Sequence, residues 1–199
     1  MAKNEDRKSS KQRKTGETEV DLSLALDGRG AEISTGIGFF DHMLDSLARH
    51  SGIGLEVSAK GDLETGSHHT VEDVGIVLGQ ALDEALGDRA GIARFGWALV
   101  PMDEALASCA IDISGRGLFV FEGDVPVTEI GGFESELTPE FFAALARESR
   151  MTLHLGLERG SNVHHMVEAI FKAFALSLKG AIAPTGEEGV PSTKGTLTS

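Results

Sequence analysis

Four of the seven histidines fall in two copies of one motif. His68-His69-Thr70-Val71-Glu72 recurs 96 residues later as His164-His165-Met166-Val167-Glu168. On a helix, positions i and i+4 share a face, so His68 points with Glu72 and His164 with Glu168. His69 and His165 reach the same glutamates at i+3, yet adjacent helical side chains diverge by about 100°. One metal can hardly take both neighbours, so each doublet suggests two metals, each drawing one histidine from each motif. Imidazole plus carboxylate suits divalent Mn, Fe or Zn. Open positions in such a set favour an octahedral ion such as Mn over a closed tetrahedral zinc. A single cysteine, Cys109, excludes a multi-cysteine zinc site and an internal disulfide framework. One HHxxE segment alone reads as solvated helix-start residues; its recurrence argues for ligands. His42 follows Asp41, which is expected to hold its imidazole as an outer partner. His50, in the last turn of a helix, and His154, between two leucines, read as structural.

A second group is cationic. Arg94, Arg116 and Lys194 each lie beside glycine or hydroxyl residues, which permit close backbone approach and further hydrogen bonds. In a chain of formal charge -13 they are candidates for a phosphate site, Arg as a fork and Lys as a point charge. No GxxxxGK[ST] loop is present, so no nucleotide is implied.

The elements that must position these groups follow from periodicity. Val20, Leu22, Leu24 and Leu26 alternate as in a half-buried strand, and Ala31–Ser34 is expected to return as the second strand of a hairpin. Phe39–Arg49 reads as a helix and Ile53, Leu55 and Val57 as a strand. A polar loop then leads into a long helix opening on His68-His69. The second half has strand candidates at Ala98–Val100, Ala107–Ile113, Leu118–Phe121, Val127–Phe133 and Met151–Leu157. A helix begins with Thr138 as cap and Pro139 at its first position, and a last helix spans His164–Lys179. Both halves follow one plan, so an internal duplication is the simplest account. The expected fold is α+β, two similar halves, each a mainly antiparallel sheet with two helices packed on one face. Residues 1–14 carry six basic and two acidic side chains and read as a disordered basic arm. Residues 15–91 form the first half, 92–182 the second, and 183–199 an extended C-terminal tail.

The balance of 18 basic to 31 acidic residues argues against nucleic acid as partner. No apolar run reaches the roughly 20 residues of a membrane span, and no signal-peptide core follows the basic start, so a cytoplasmic protein is expected.

The segments FFDHML (39–44), HHTVED (68–73), RFG (94–96), PMDEAL (101–106), DISGR (112–116), HHMVEAIFKAF (164–174) and PSTKG (191–195) resemble the imidazoleglycerol-phosphate dehydratase family. The matches keep their order over about residues 15–197. The resemblance implies a monofunctional hydro-lyase of histidine biosynthesis, removing water from D-erythro-imidazole-glycerol phosphate to give imidazole-acetol phosphate. It implies two Mn(II) ions per active site, and a homo-oligomeric shell of 24 subunits with sites between them. By motif position it implies His42, His68, His69, Glu72, His164, His165 and Glu168 as metal ligands. An eighth family ligand, often histidine in an xHFF sequence, falls here on Glu140. Arg94, Arg116, Ser192 and Lys194 would hold the phosphate, with Thr193 alongside. Glu17 matches a glutamate that acts as acid/base and touches substrate, and Asp103 would orient or polarise the substrate. His69 and Glu168 also count among the catalytic groups. The proton to be removed lies on carbon with no adjacent carbonyl, so a Lewis acid on the substrate imidazole is needed. Two other readings use the same motifs, a non-catalytic metal-storage oligomer and a di-metal phosphohydrolase. Storage has no use for the phosphate motifs.

Overall fold

The structure, a computed structural model, describes residues 7–193 and 195–197. The first half runs β1 (Lys8–Lys14), β2 (Thr18–Ala25), β3 (Ala31–Ser34), α1 (Gly38–Ser51), β4 (Gly54–Gly61) and α2 (His68–Leu86). The second runs β5 (Phe95–Met102), β6 (Ala105–Asp112), β7 (Leu118–Glu122), β8 (Glu129–Ile130), β9 (Phe133–Glu134), α3 (Leu137–Ser149), β10 (Thr152–Arg159) and α4 (Val163–Ala181). The sheet orders are β1-β2-β4-β3 and β5-β6-β10-β7, the same plan twice. In each sheet two pairs are antiparallel and the last is parallel. The α+β duplication read from the sequence is therefore present.

Four expectations are corrected. Ala31–Ser34 does not form a hairpin with β2, whose edges are taken by β1 and β4. It pairs parallel with β4 across the helical crossover α1. The basic arm is not disordered over its described part, because Lys8–Lys14 is a strand in full register with β2, from Lys8↔Ala25 to Lys14↔Glu19. Its cations meet acids of the neighbouring helix. Arg13 Nε donates to Asp73 at 2.8 Å, Lys11 lies 2.9 Å from Glu84, and the Ser9 hydroxyl donates to the same glutamate. Residues 1–6 lie outside the described part. Val127–Phe133 is only a two-residue hairpin, β8–β9, turning on Gly131 and Gly132, both with positive φ. Helix α3 starts at Leu137, before Pro139, and Thr138 makes no cap; its buried hydroxyl has no hydrogen-bond partner.

The helices lie between the sheets and fasten the halves together. Helix α2 packs on α3, α1 on α4, and the buried side chains of both halves form one core. Helices α2 and α3 approach closely through Gly75 and Gly79, where a Cβ would fall 2.8 Å from the Phe141 carbonyl and 2.7 Å from that of Leu145. A run of rings, Phe133 on Phe40, Phe40 on Phe141 and Phe141 on Phe171, joins β9, α1, α3 and α4. Phe40, Phe141 and Phe171 sit within three residues of His42, Glu140 and Glu168, so packing the core also places these side chains.

The segment after α4 is irregular but held. Thr185 N donates to the Gly91 carbonyl and Gly91 N to the Gly189 carbonyl, both at 2.9 Å, while Arg89 Nη1 donates to the Leu197 carbonyl at 3.0 Å. Arg89 is fully buried and also pairs with Asp83.

Candidate active site

Helix α4 opens on Asn162, whose side-chain oxygen accepts the backbone N–H of His164 at 3.0 Å. One turn on, Glu168 is buried, and His164 Nε2 lies 3.2 Å from its Oε2. His42, from the second turn of α1, brings Nε2 within 3.9 Å of the same oxygen. Phe39 packs edge-on to His164, with ring centroids 4.9 Å apart. One ligand atom from each of His42, His164 and Glu168 lies within 4.8 Å of the others. The remaining glutamate oxygen accepts from Lys172 Nζ at 2.7 Å, and that ammonium also reaches Met102 Sδ at 3.4 Å. Burial works to raise the Glu168 carboxyl, but the Lys172 hydrogen bond and charge, with His42 and His164, hold it below the usual carboxylate range.

In the first half, His68 Nε2 faces Glu72 at 3.8 Å, as i and i+4 require. The rings of each doublet diverge almost identically, by 81° for His68 and His69 and 82° for His164 and His165. Each second histidine stands between two carboxylates. His69 Nδ1 lies 3.1 Å from Asp62 Oδ1 and its Nε2 faces Glu17 at 3.8 Å. His165 Nδ1 lies 2.8 Å from Glu104 Oε2 and its Nε2 faces Asp103 at 3.7 Å. The hydrogen bonds raise both imidazoles above their ordinary values, Asp62 acting on His69 and Glu104 on His165. Glu104 is in turn held far below the usual carboxylate range, by His165 first and then by the backbone of Asn162 and Ser161. Glu17 lies in the turn between β1 and β2, Asp103 in the turn between β5 and β6. The duplication therefore puts both predicted acid groups at equivalent places.

Among the described residues no hydrogen bond, ion pair or ring contact joins one HHxVE motif to the other. The one group of metal-competent side chains found among the described residues, His42, His164 and Glu168, includes no residue of the first motif. Glu140 is exposed on the first turn of α3 and stands outside the His42–His164–Glu168 group. Asp41 does not hold His42; its Oδ1 accepts from Thr35 N and Oγ1 at 2.9 and 2.6 Å. Burial, then the charges of Lys172 and Arg49, push the His50 imidazole below its ordinary value.

The phosphate candidates meet at Asp112. Arg94 donates through Nε to Oδ1 at 2.7 Å and through Nη2 to Oδ2 at 3.1 Å, while Arg116 Nη2 is 3.5 Å from Oδ2. Arg94 Nη1 donates to the Pro191 carbonyl at 2.8 Å, which places Ser192 beside this group and Thr193 exposed next to it. Lys194 lies outside the described residues. Sequence reasoning missed Lys172, Asp112, Asp62 and Glu104. Lys172 was legible as the i,i+4 partner of Glu168 on one helix; Asp112, at the end of β6, and Asp62 and Glu104 depend on contacts outside helices.

A sequence model described as Imidazoleglycerol-phosphate dehydratase matches residues 35–178. The imidazoleglycerol-phosphate dehydratase of Pelotomaculum thermopropionicum is 54% identical over 186 residues, covering 93% of this chain and 95% of that one. The enzyme of that name from Acetivibrio thermocellus is 53% identical over 96% of this chain and all of its own length. The crystal structure of the Staphylococcus aureus enzyme superimposes with a TM-score of 0.82 at 41% identity, covering 89% of this chain and 99% of that one. That of the Pyrococcus furiosus enzyme, in complex with (S)-C348, gives 0.81 at 38% identity, covering 94% and 99%. With identity above half of the aligned residues, near-complete coverage on both sides and a shared fold, the chain belongs to the imidazoleglycerol-phosphate dehydratase family.

Proposed function

We propose that this chain removes water from D-erythro-imidazole-glycerol phosphate to give imidazole-acetol phosphate, as a Mn(II)-dependent hydro-lyase of histidine biosynthesis in the cytoplasm. The observation that carries the reading is the convergence of His42, His164 and Glu168 in a chain of this family. The donor set fits such an ion: two imidazole nitrogens and an ionised carboxylate, with Cys109 buried elsewhere. His68, His69, Glu72, His165 and, in the place that His42 takes in its own half, Glu140 complete two ions per site. When bound, the divalent cation supplies Lewis acidity toward the substrate imidazole.

The protein groups do the rest. Arg94 and Arg116, with Ser192, Thr193 and Lys194, hold the phosphate end. Glu17, exposed and facing His69 Nε2, takes the proton from the carbon that becomes the ketone. The hydroxyl on the neighbouring carbon takes up a proton and leaves as water, and the resulting enol gives up its O–H proton as that neighbouring carbon takes one, which yields the ketone. Asp103 orients the substrate hydroxyls. Sites lie between subunits of a 24-subunit shell in this reading. It is supported by two features: a metal-competent group that includes no residue of the first motif, and an outer sheet face carrying exposed Phe95, Trp97, Leu99 and Leu118.

The test is assay of imidazole-acetol phosphate formation by metal-stripped protein with and without Mn(II). Activity restored by Mn(II), with about two ions bound per chain, is the expected result. Full activity of a metal-free preparation, or none with Mn(II), overturns the proposal.

A further inference from the structure

We infer that Asp62 and Glu104 are positioning residues for metal ligation, each fixing the ring of the second histidine of its motif through Nδ1 so that Nε2 is left as the donor. The inference rests on the reading above that His69 and His165 bind Mn(II). A neutral imidazole carries one N–H and one lone pair, and an ionised carboxylate can only accept. A carboxylate on Nδ1 therefore holds the proton there, orients the ring and strengthens Nε2 as a ligand. The distances are those of hydrogen bonds: 3.1 and 3.2 Å from His69 Nδ1 to the two Asp62 oxygens, and 2.8 Å from His165 Nδ1 to Glu104 Oε2.

Both carboxylates are themselves anchored. Glu104 Oε1 accepts from Ser161 N at 3.0 Å, Ser161 Oγ at 3.2 Å and Asn162 N at 2.7 Å, which locks it to the start of α4. Asp62 Oδ2 accepts from Thr65 Oγ1 at 2.9 Å, in the turn just before α2. The two do not come from equivalent places. Asp62 follows β4, whereas the residue following β10 is Gly160; Glu104 belongs to the β5–β6 turn, whereas the β1–β2 turn carries Glu17. A contact handed down with the duplicated scaffold would use the same loop in both halves. Here two different loops deliver one arrangement, a carboxylate on Nδ1 with Nε2 facing a second acid. The requirement lies in the histidine's task and not in the frame.

The experiment measures Mn(II) affinity of the full chain after metal stripping, by paramagnetic resonance of free Mn(II). It compares wild type with Asp62→Ala, Glu104→Ala and the isosteric Asp62→Asn and Glu104→Gln. Each Ala variant is expected to weaken one class of site about 10–100-fold, with the Asn and Gln variants falling between because an amide oxygen still accepts. Thermal unfolding of the metal-free proteins supplies the second readout. Weakened Mn(II) binding at unchanged metal-free stability supports the inference, and wild-type affinity in variants that fold overturns it. If an Ala variant does not fold, its isosteric partner decides by the same criterion. Wild type that binds no Mn(II) sinks the metal reading itself and this inference with it.

Discussion

Lys172 sets the character of Glu168. A buried carboxylate without a partner protonates, because low-dielectric surroundings disfavour its charge. The ammonium donating at 2.7 Å keeps the acid ionised, and its other oxygen is left to His42 and His164. That arrangement was legible in the sequence, since residues four apart on a helix are neighbours whatever else the chain does. Asp62 and Glu104 were not, because they reach their histidines across turns whose shape depends on the whole fold. Asp41 shows the reverse error: sequence adjacency placed it on His42, while the backbone geometry turned it to Thr35. Cys109 yields a prediction at this scale. Burial pushes its thiol up to about 12, against a slight pull from Ser177. A disulfide reagent at pH 8 should therefore label no thiol in the native protein and one per chain after denaturation. Rapid native labelling would show that the Cys109 thiol is not buried.

At the level of elements, β1 was unreadable because its sequence, Lys-Ser-Ser-Lys-Gln-Arg-Lys, lacks the apolar alternation that marks a strand. Its inward contacts to α2 are ion pairs and a hydroxyl, so the strand follows from pairing and charge, not from hydrophobic pattern. The duplication was the available signal: β5 has no other counterpart in the first half. The helix pairs were better marked, by glycines at positions 75 and 79 on one face of α2. Gly79→Val should destabilise the protein by about 1–3 kcal/mol in denaturant unfolding, because the added side chain meets the Leu145 carbonyl and the Ser149 backbone. Unchanged stability would mean that α2 and α3 do not pack this closely.

In the whole molecule, one core spans both halves, and side-chain ties run across it. Arg7 donates to both Asp27 oxygens and to the Ile182 carbonyl at 2.7 Å, tying the strand at one end to the close of α4. The Arg7 hydrogen bond holds the Asp27 carboxyl below its ordinary value. A carboxyl lowered in the folded state adds stability above its unfolded pKa of about 4 and loses it as pH falls through the folded value. Arg7→Gln should therefore lower the melting temperature slightly at neutral pH and flatten its fall between roughly pH 5 and 3. An unchanged acid limb would remove this pair from the account. The effect is modest because Asp27 is largely exposed.

The stretch after α4 hangs from residues 89–94, and its attachment at Pro191 is Arg94, a cation proposed above for the substrate phosphate. Trimming the chain from its carboxyl end would first empty the Leu197 contact with Arg89 and then leave Arg94 Nη1 without the Pro191 carbonyl, while Asp112 kept its fork on Nε and Nη2 and no sheet pairing were lost. Cooperative units open in order of their local stability. A molecule nicked in this stretch would keep its secondary structure and its histidine cluster while losing Ser192, Thr193 and Lys194, the groups proposed to hold phosphate beside the two arginines, so spectroscopic integrity would be a poor proxy for competence.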